Sequence, residues 1–237
     1  MRIAEPAILK PSKREHARRR LLSAAVEVFG ERGLEGATVR EIARVAGQNV
    51  AAIAYYFGGK KRLYRTVMET IVSELRQQLG DILSEINELR QCRTTSPVEA
   101  LRLLNRFLRT VYVRLLSRNE TVPIVRLIVR EQLSPTEGFD VLYEHGFREV
   151  HEGLCFLLGT ILRENPRRPE VIVRTHMLMG QVYFFAMSRE AILRRLRWRD
   201  LEAKNAEVVT NVLSENLDAL VTGLPLVRKP GRAERML

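Results

Sequence analysis

The chain has only two cysteines, Cys92 and Cys155, which stand far apart and outside any CxxC or Cys/His ligand spacing. A disulfide framework and a zinc site are therefore not expected, and two ordinary thiols in a reducing compartment are. Long apolar runs are also missing. The charge-free stretch Thr175 to Ser188 falls short of the roughly 20 apolar residues that a membrane span needs. The opening MRIAEPAILKPSKREHARRR has no apolar segment of the secretory type, so the cytoplasm is the expected location. No nucleophile motif is visible, and no glycine-rich phosphate loop follows a strand. An enzyme is thus a remote reading, and neither a cofactor nor a metal is implied.

Nearly half of the residues are apolar and over a quarter are charged, the balance of a folded globular protein. The net charge of +11 is unevenly placed: residues 1–65 hold 14 Lys and Arg against 6 Asp and Glu, or +8, which leaves +3 for the other 172 residues. A field concentrated in the N-terminal quarter favours a polyanion, either nucleic acid or an anionic membrane surface.

Hydrophobic periodicity near 3.6 recurs almost throughout and no strand pattern stands out, so the fold class is all-α. Residues 14–30 form the first helix, with Gly33 and Gly36 as stop signals. Thr38 suits an N-cap, and Glu41 three residues on completes a capping box for a short helix that ends at Gly47. Asn49 or Val50 opens a third helix that stops at Gly58 and Gly59, and a long helix runs from Lys60 to about Leu89. Further helices are expected from Pro97, over 124–133, from Thr136 to about Arg163, over 171–187 and over 202–221, with breaks at Pro123, Pro135 and the NPRRP run at 165–169. Residues 1–12 read as a disordered basic arm and 225–237 as a disordered tail.

Between Thr38 and Phe57 two short helices are joined by a glycine-containing turn. Ile42, Ala43 and Ala46 fall on the inner side of the first, and Ile53 and Phe57 on the inner side of the second. That is helix-turn-helix spacing. Asn49, Val50, Ala51, Ala54 and Tyr55 then face outward, and small side chains leave room to enter a major groove. There Asn49 can hydrogen-bond a base edge and Val50 or Ala51 can touch a thymine methyl. Tyr55 and Tyr56 can reach phosphates, and GGKK at 58–61 exposes a helix N-terminus beside Lys60 and Lys61 as an anion site. Each feature has a plainer meaning: Asn49 as a cap, the tyrosines as packing, GGKK as a solvated turn. Their order behind a basic arm is what favours the DNA-binding one.

The stretch AVEVFGERGLEGATVREIARVAGQNVAAIAYYFGGKKRLYRTVMETI resembles the DNA-binding domain of TetR-type transcriptional regulators over roughly residues 15–70, with the AxxxFxxxGxxxxTxxxIAxxAG and YYFxxKxxLY elements at family spacing. REQLSPTEGFDVLY and MGQVYFFAMSREAILRRL resemble the C-terminal domain of the CerR-like branch. The resemblance implies a homodimer with a three-helix DNA-binding head at 13–59 and a ligand-binding and dimerisation domain at 60–224. It carries DNA contacts onto Thr38, Arg40, Asn49, Val50, Ala51, Tyr55, Tyr56 and Lys60. Two residues depart from the family pattern: Gln48 stands at a turn position that is usually apolar, and Ala54 where many members carry a larger side chain.

Lys10, Lys13, Arg14 and Arg18 are either a solvated arm or minor-groove contacts. Arg194, Arg195, Arg197 and Arg199 read as a solvated helix face or loop. An effector cavity between packed helices can draw on Phe107, Val111, Tyr112, Phe139, Tyr143, His176, Met179, Tyr183 and Phe184, although aromatic and methionine residues at helical spacing also make plain core. The helices at about 171–187, apolar nearly all round, and 202–221 are expected to pack against their symmetry mates. The expectation is a ligand-responsive regulator, a repressor, bound as a homodimer to a palindromic double-stranded DNA operator and released by a small-molecule effector. The other class is a basic helical protein at an RNA or anionic membrane surface, for which a long basic amphipathic helix or exposed stacking aromatics would speak.

Overall fold

The computed structural model describes residues 12–92 and 95–223. The expected arm up to residue 11, including Lys10, and the expected tail at 225–237 lie outside the described residues. Among the described residues the chain is all-α and without strands.

Helix α1 (Lys13–Gly36) starts at a capping box in which Ser12 Oγ accepts from the Glu15 amide and the Glu15 carboxylate accepts from the Ser12 amide. Its helical geometry breaks at Gly33, at φ 71° and ψ 178°. Thr38 Oγ1 accepts from the Glu41 amide at 3.2 Å and caps α2 (Val39–Val45). Glu41 does not return the bond. Its carboxylate pairs instead with Arg32 at 2.7 Å and ties α2 to α1, so the expected capping box is only half formed. Gly47 turns the chain at φ 59°, a conformation that costs a residue with a Cβ. Helix α3 (Ala51–Phe57) follows and α4 (Lys60–Gln91) begins after Gly58 and Gly59.

The first three helices close over Leu21, Ala25, Phe29, Ile42, Ala43, Ile53 and Phe57, all buried. This core continues past residue 59. Leu63, Val67, Met68 and Ile71 of α4 complete it, together with Leu127 of α6 (Val122–Leu133) and Val141 and Leu142 of α7 (Glu137–Leu142). A second core joins the far half of α4 to α5 (Pro97–Val111), α8 (Arg148–Leu162), α9 (Pro169–Met187) and α11 (Ala203–Gly223).

Three features depart from the expected helices. A π-turn at Tyr112–Leu116 prolongs α5, and another at Tyr143–Phe147 interrupts the helix expected from Thr136 to Arg163. The arginine run expected on a solvated helix face or loop begins on an eight-residue helix not expected as a separate element, α10 (Arg189–Leu196), where Arg194 and Arg195 are exposed, and Arg197 closes it at φ 57°.

Glu131, 1% exposed, sits where α4, α6 and α7 meet. Its carboxylate accepts from the Tyr64 hydroxyl, from the Thr136 amide at 3.0 Å and from the Thr136 hydroxyl at 2.9 Å. Thr136 Oγ1 also accepts from the Gly138 amide and so caps α7. Burial and the Glu131 carboxylate hold the Tyr64 phenol far above its ordinary pKa, so it stays a donor. Gly138 packs against the Tyr64 ring so closely that a Cβ there would lie 2.7 Å from Cε1. Because its hydroxyl is held, the ring has little freedom to retreat. Gly138→Ala is expected to destabilise the protein by about 1–3 kcal/mol. Gly80→Ala, on α4 with open space around it, is expected to stabilise by up to about 1 kcal/mol. Chemical denaturation of both variants measures the contrast, and equal effects would contradict the packing.

Candidate nucleic-acid interface and effector cavity

On α3, Asn49, Val50, Ala51, Ala54 and Tyr55 are exposed, while Ile53 and Phe57 point into the core. Asn49 Oδ1 accepts from the Ala51 amide at 2.9 Å and thereby starts the helix. The cap and the outward position coexist, since capping uses the carbonyl oxygen and leaves the amide nitrogen with two donors. Asn49 therefore keeps both amide donors and the second lone pair of Oδ1 for base edges.

Thr38 and Arg40 are exposed at the start of α2. The Thr38 hydroxyl, which accepts from Glu41, keeps its own proton to donate. Tyr55 is 69% exposed, while Tyr56 is half-buried against the head core with its ring 4.9 Å from that of Tyr55. Arg14 and Arg18 of α1 join this edge of the head: the Arg14 guanidinium lies 5.5 Å from the Tyr55 ring centre, and that of Arg18 lies 5.4 Å from the Phe57 ring centre. Both arginines are thus docked on the reading helix. Lys60 is engaged as well. Its ammonium donates to the Ala37 carbonyl at 3.2 Å and the Glu35 carbonyl at 3.4 Å, which holds the loop in front of Thr38 and leaves one donor for a phosphate. Lys61 and Arg62 beside it are exposed.

Of the residues expected to line a cavity, Phe107, Val111, Met179 and Tyr183 come together around a small hollow of about 40 Å³, space for a few waters. A second hollow of about 260 Å³ adjoins it and shares Leu75, Val111, Leu115, Phe147 and Tyr183. This second hollow is close to the size that small ligands occupy. Both π-turns supply lining residues, Leu115 from the first and Phe147 from the second. Such turns widen the helix and recur at functional sites. Tyr112 is fully buried beside Phe185, and its hydroxyl has no partner. Tyr143 and His176 line a separate open groove along α8 and α9, Phe139 stacks on Tyr143, and Phe184 is 64% exposed. None of these five borders either hollow.

Sequence reasoning did not single out the wall that α6 provides. Ile124, Val125, Ile128 and Val129 face the larger hollow, while the other side of the same helix grips the head. Pro123 and Gly30 touch so closely that a Cβ on Gly30 would lie 2.7 Å from the Pro123 carbonyl oxygen. Leu127 is fully buried in the head core, and Arg130 donates to the Glu31 carbonyl at 3.0 Å. The usable signal was the apolar positions of 124–129, in a segment that the sequence marks only as a helix over 124–133. Elsewhere, Cys155 is buried 3.5 Å from His151 Nδ1, and burial pushes its thiol up, away from nucleophilic character. Among the described residues no group of His, Cys, Asp and Glu is placed to hold a metal, and no helix is long and apolar enough to cross a membrane.

Comparison with known proteins agrees with this architecture. Residues 21–67 match the family described as bacterial regulatory proteins, tetR family, and residues 100–224 match the C-terminal domain of the HTH-type transcriptional dual regulator CecR. The chain is 32% identical to the HTH-type transcriptional dual regulator CecR of Shigella flexneri over 212 residues, covering 90% of this chain and 94% of that one. It is 30% identical to the HTH-type transcriptional repressor NicS of Pseudomonas putida over 106 residues, covering 45% and 46%. Among solved structures, a transcriptional regulator from Rhodococcus sp. Rha1 superposes with a TM-score of 0.58 at 22% identity, covering 86% of this chain and 96% of that one. The hemolysin II transcriptional regulator HlyIIR gives 0.55 at 24% identity, covering 85% and 99%. These relatives are transcriptional regulators and not enzymes, and this chain belongs to the TetR family of transcriptional regulators, with a CecR-type C-terminal domain.

Proposed function

We propose that the protein acts in the cytoplasm as a ligand-responsive repressor that binds a palindromic DNA operator as a homodimer and leaves it when a small-molecule effector binds. The head comprises residues 13–59, and the ligand-binding and dimerisation domain residues 60–224. The observation that carries this reading is the outward face of α3, where Asn49, Val50, Ala51 and Ala54 leave a slender exposed ridge flanked by Arg14, Arg18 and Arg40. Asn49, Val50 and Ala51 touch bases, Tyr55, Tyr56 and Lys60 touch phosphates, and Thr38 and Arg40 complete the DNA contacts. Gel shift with the chain's own upstream DNA, with and without competitor RNA, tests the reading. A shift abolished by RNA would favour the RNA-binding alternative.

Asn49 is the residue whose cap and reading roles must be separated. Serine caps a helix about as well as asparagine but lacks the amide donors. Asn49→Ser is therefore expected to keep the melting temperature and random-DNA affinity while losing about 1–3 kcal/mol on the preferred operator. Equal losses on operator and random DNA would count against base reading.

The dimer reading rests on a stripe along α9. Val173, Met177, Phe184 and Met187 are exposed at helical spacing, with Gly180 between them, and Val208 and Val212 of the neighbouring α11 are exposed too. Paired across a two-fold axis, these helices form a four-helix bundle. Such a bundle sets the separation of the two reading helices, about 34–36 Å for successive major grooves. Phe184→Glu is expected to give a folded monomer by analytical ultracentrifugation, with operator affinity reduced at least about tenfold. An unaltered dimer would place the interface elsewhere.

A further inference from the structure

The 260 Å³ hollow has an apolar wall built from residues such as Leu75, Leu115, Ile124, Ile128, Phe147 and Tyr183. Few charged groups border it, and most are already engaged. Arg118 pairs with Glu120 at 2.6 Å, and the exposed Arg114 donates to the Gln78 carbonyl at 2.7 Å, a neutral partner that leaves its charge in solvent. Glu74 differs. It lines the hollow and also the outer groove between α1, α4 and the start of α6, which places it at the mouth, exposed to solvent. Burial alone raises its carboxyl above the usual range, and no neighbouring cation offsets the shift. Glu74 makes no ion pair or hydrogen bond with a described residue.

A ligand entering by this mouth removes more water from the carboxylate. An anion adds like-charge repulsion to that cost, and a neutral guest leaves it uncompensated. A cation offsets it. The Tyr183 phenol, pushed up to about 12 by burial, remains neutral and adds an aromatic face and a hydroxyl on the wall shared by the two hollows. We propose, resting on the effector-released regulator described under Proposed function, that the effector is an amphipathic organic cation, its apolar body in this hollow and its positive nitrogen against the Glu74 carboxylate.

Calorimetric titration of the full chain without DNA, using octyltrimethylammonium, octanoate and octanol below their aggregation limits, tests this directly. The cation is expected to bind about tenfold or more tightly than either of the other two. Glu74→Gln is expected to bring the three within about threefold of each other, and Glu74→Lys to shift the preference to octanoate. A wild-type preference for octanoate or octanol overturns the proposal, as does a cation preference that survives in both variants. Gel shifts on the ligand-free proteins keep the two readings apart. Operator binding by the wild type and both variants sustains the regulator whichever probe is preferred, whereas a strong cation preference in a chain that binds no operator sustains the site and overturns the regulator.

Discussion

The Glu131 carboxylate is buried at the meeting point of three helices, and an ionised group removed from water is costly unless its lone pairs are matched. Here the Tyr64 hydroxyl and both donors of Thr136 match it. The match fixes relative positions: Tyr64 stands near the start of α4, Glu131 near the end of α6, and Thr136 caps α7. No one of these helices can slide without unmaking bonds to a buried charge. The Arg130 bond to Glu31 and the Gly30–Pro123 contact then seat α1 against the same helix. The head is therefore not a bead on a flexible stem. Its core is finished by Leu127, Val141 and Leu142, and it depends on α6 and α7 for part of its packing.

Much of the head was legible in the sequence because its determinants are local. Gly33, Gly47 and Gly58 break the helices where the backbone needs positive φ, Thr38 caps as its position predicts, and the apolar positions of α2 and α3 follow from period alone. The site was legible in the same way for Asn49, Val50, Ala51 and Tyr55, which an inward Ile53 and Phe57 force to the outside. Lys60 was not legible in full: GGKK exposes a lysine on paper, but the carbonyls that hold it come from the last turn and C-cap of α1, over twenty residues upstream. Glu131 was less visible still. REQL reads as the polar end of the helix over 124–133, and only a tyrosine 67 residues away makes its Glu131 a buried joint. The π-turns leave hydrophobic period almost untouched and so left no mark, and the arginine run, read as a solvated helix face or loop, did not show where α9 ends and α10 begins.

The aromatic candidates divided for a related reason. Period places Phe107, Val111, Met179 and Tyr183 on inward faces and equally places Phe184 on a helix apolar all round, but it cannot say which apolar face meets the chain's own core. In the fold, α9 turns Val171, Leu178 and Val182 inward and leaves Val173, Met177 and Phe184 outside. That stripe is what an amphipathic surface helix ordinarily lacks, and its residues serve contact between chains better than capture of a small molecule.

Helix α6 then decides how occupancy of the hollow can be felt at the head. Four of its side chains face the hollow, and four neighbours on its other side, Pro123, Leu127, Arg130 and Glu131, hold α1 and α4. A guest that pushes α6 outward must press it further into the head or lengthen bonds to Glu131, and a charged hydrogen bond contributes about 1.5–3 kcal/mol. Allosteric coupling between two sites commonly amounts to about 1–3 kcal/mol, so disturbing this one joint is enough in magnitude to link them. The interior is close-packed at the Gly30 and Gly138 crossings and cannot absorb the displacement by compression. In the proposed regulator the displacement is passed to α1 and α4, and bound DNA, by holding the same helices, resists the guest in return.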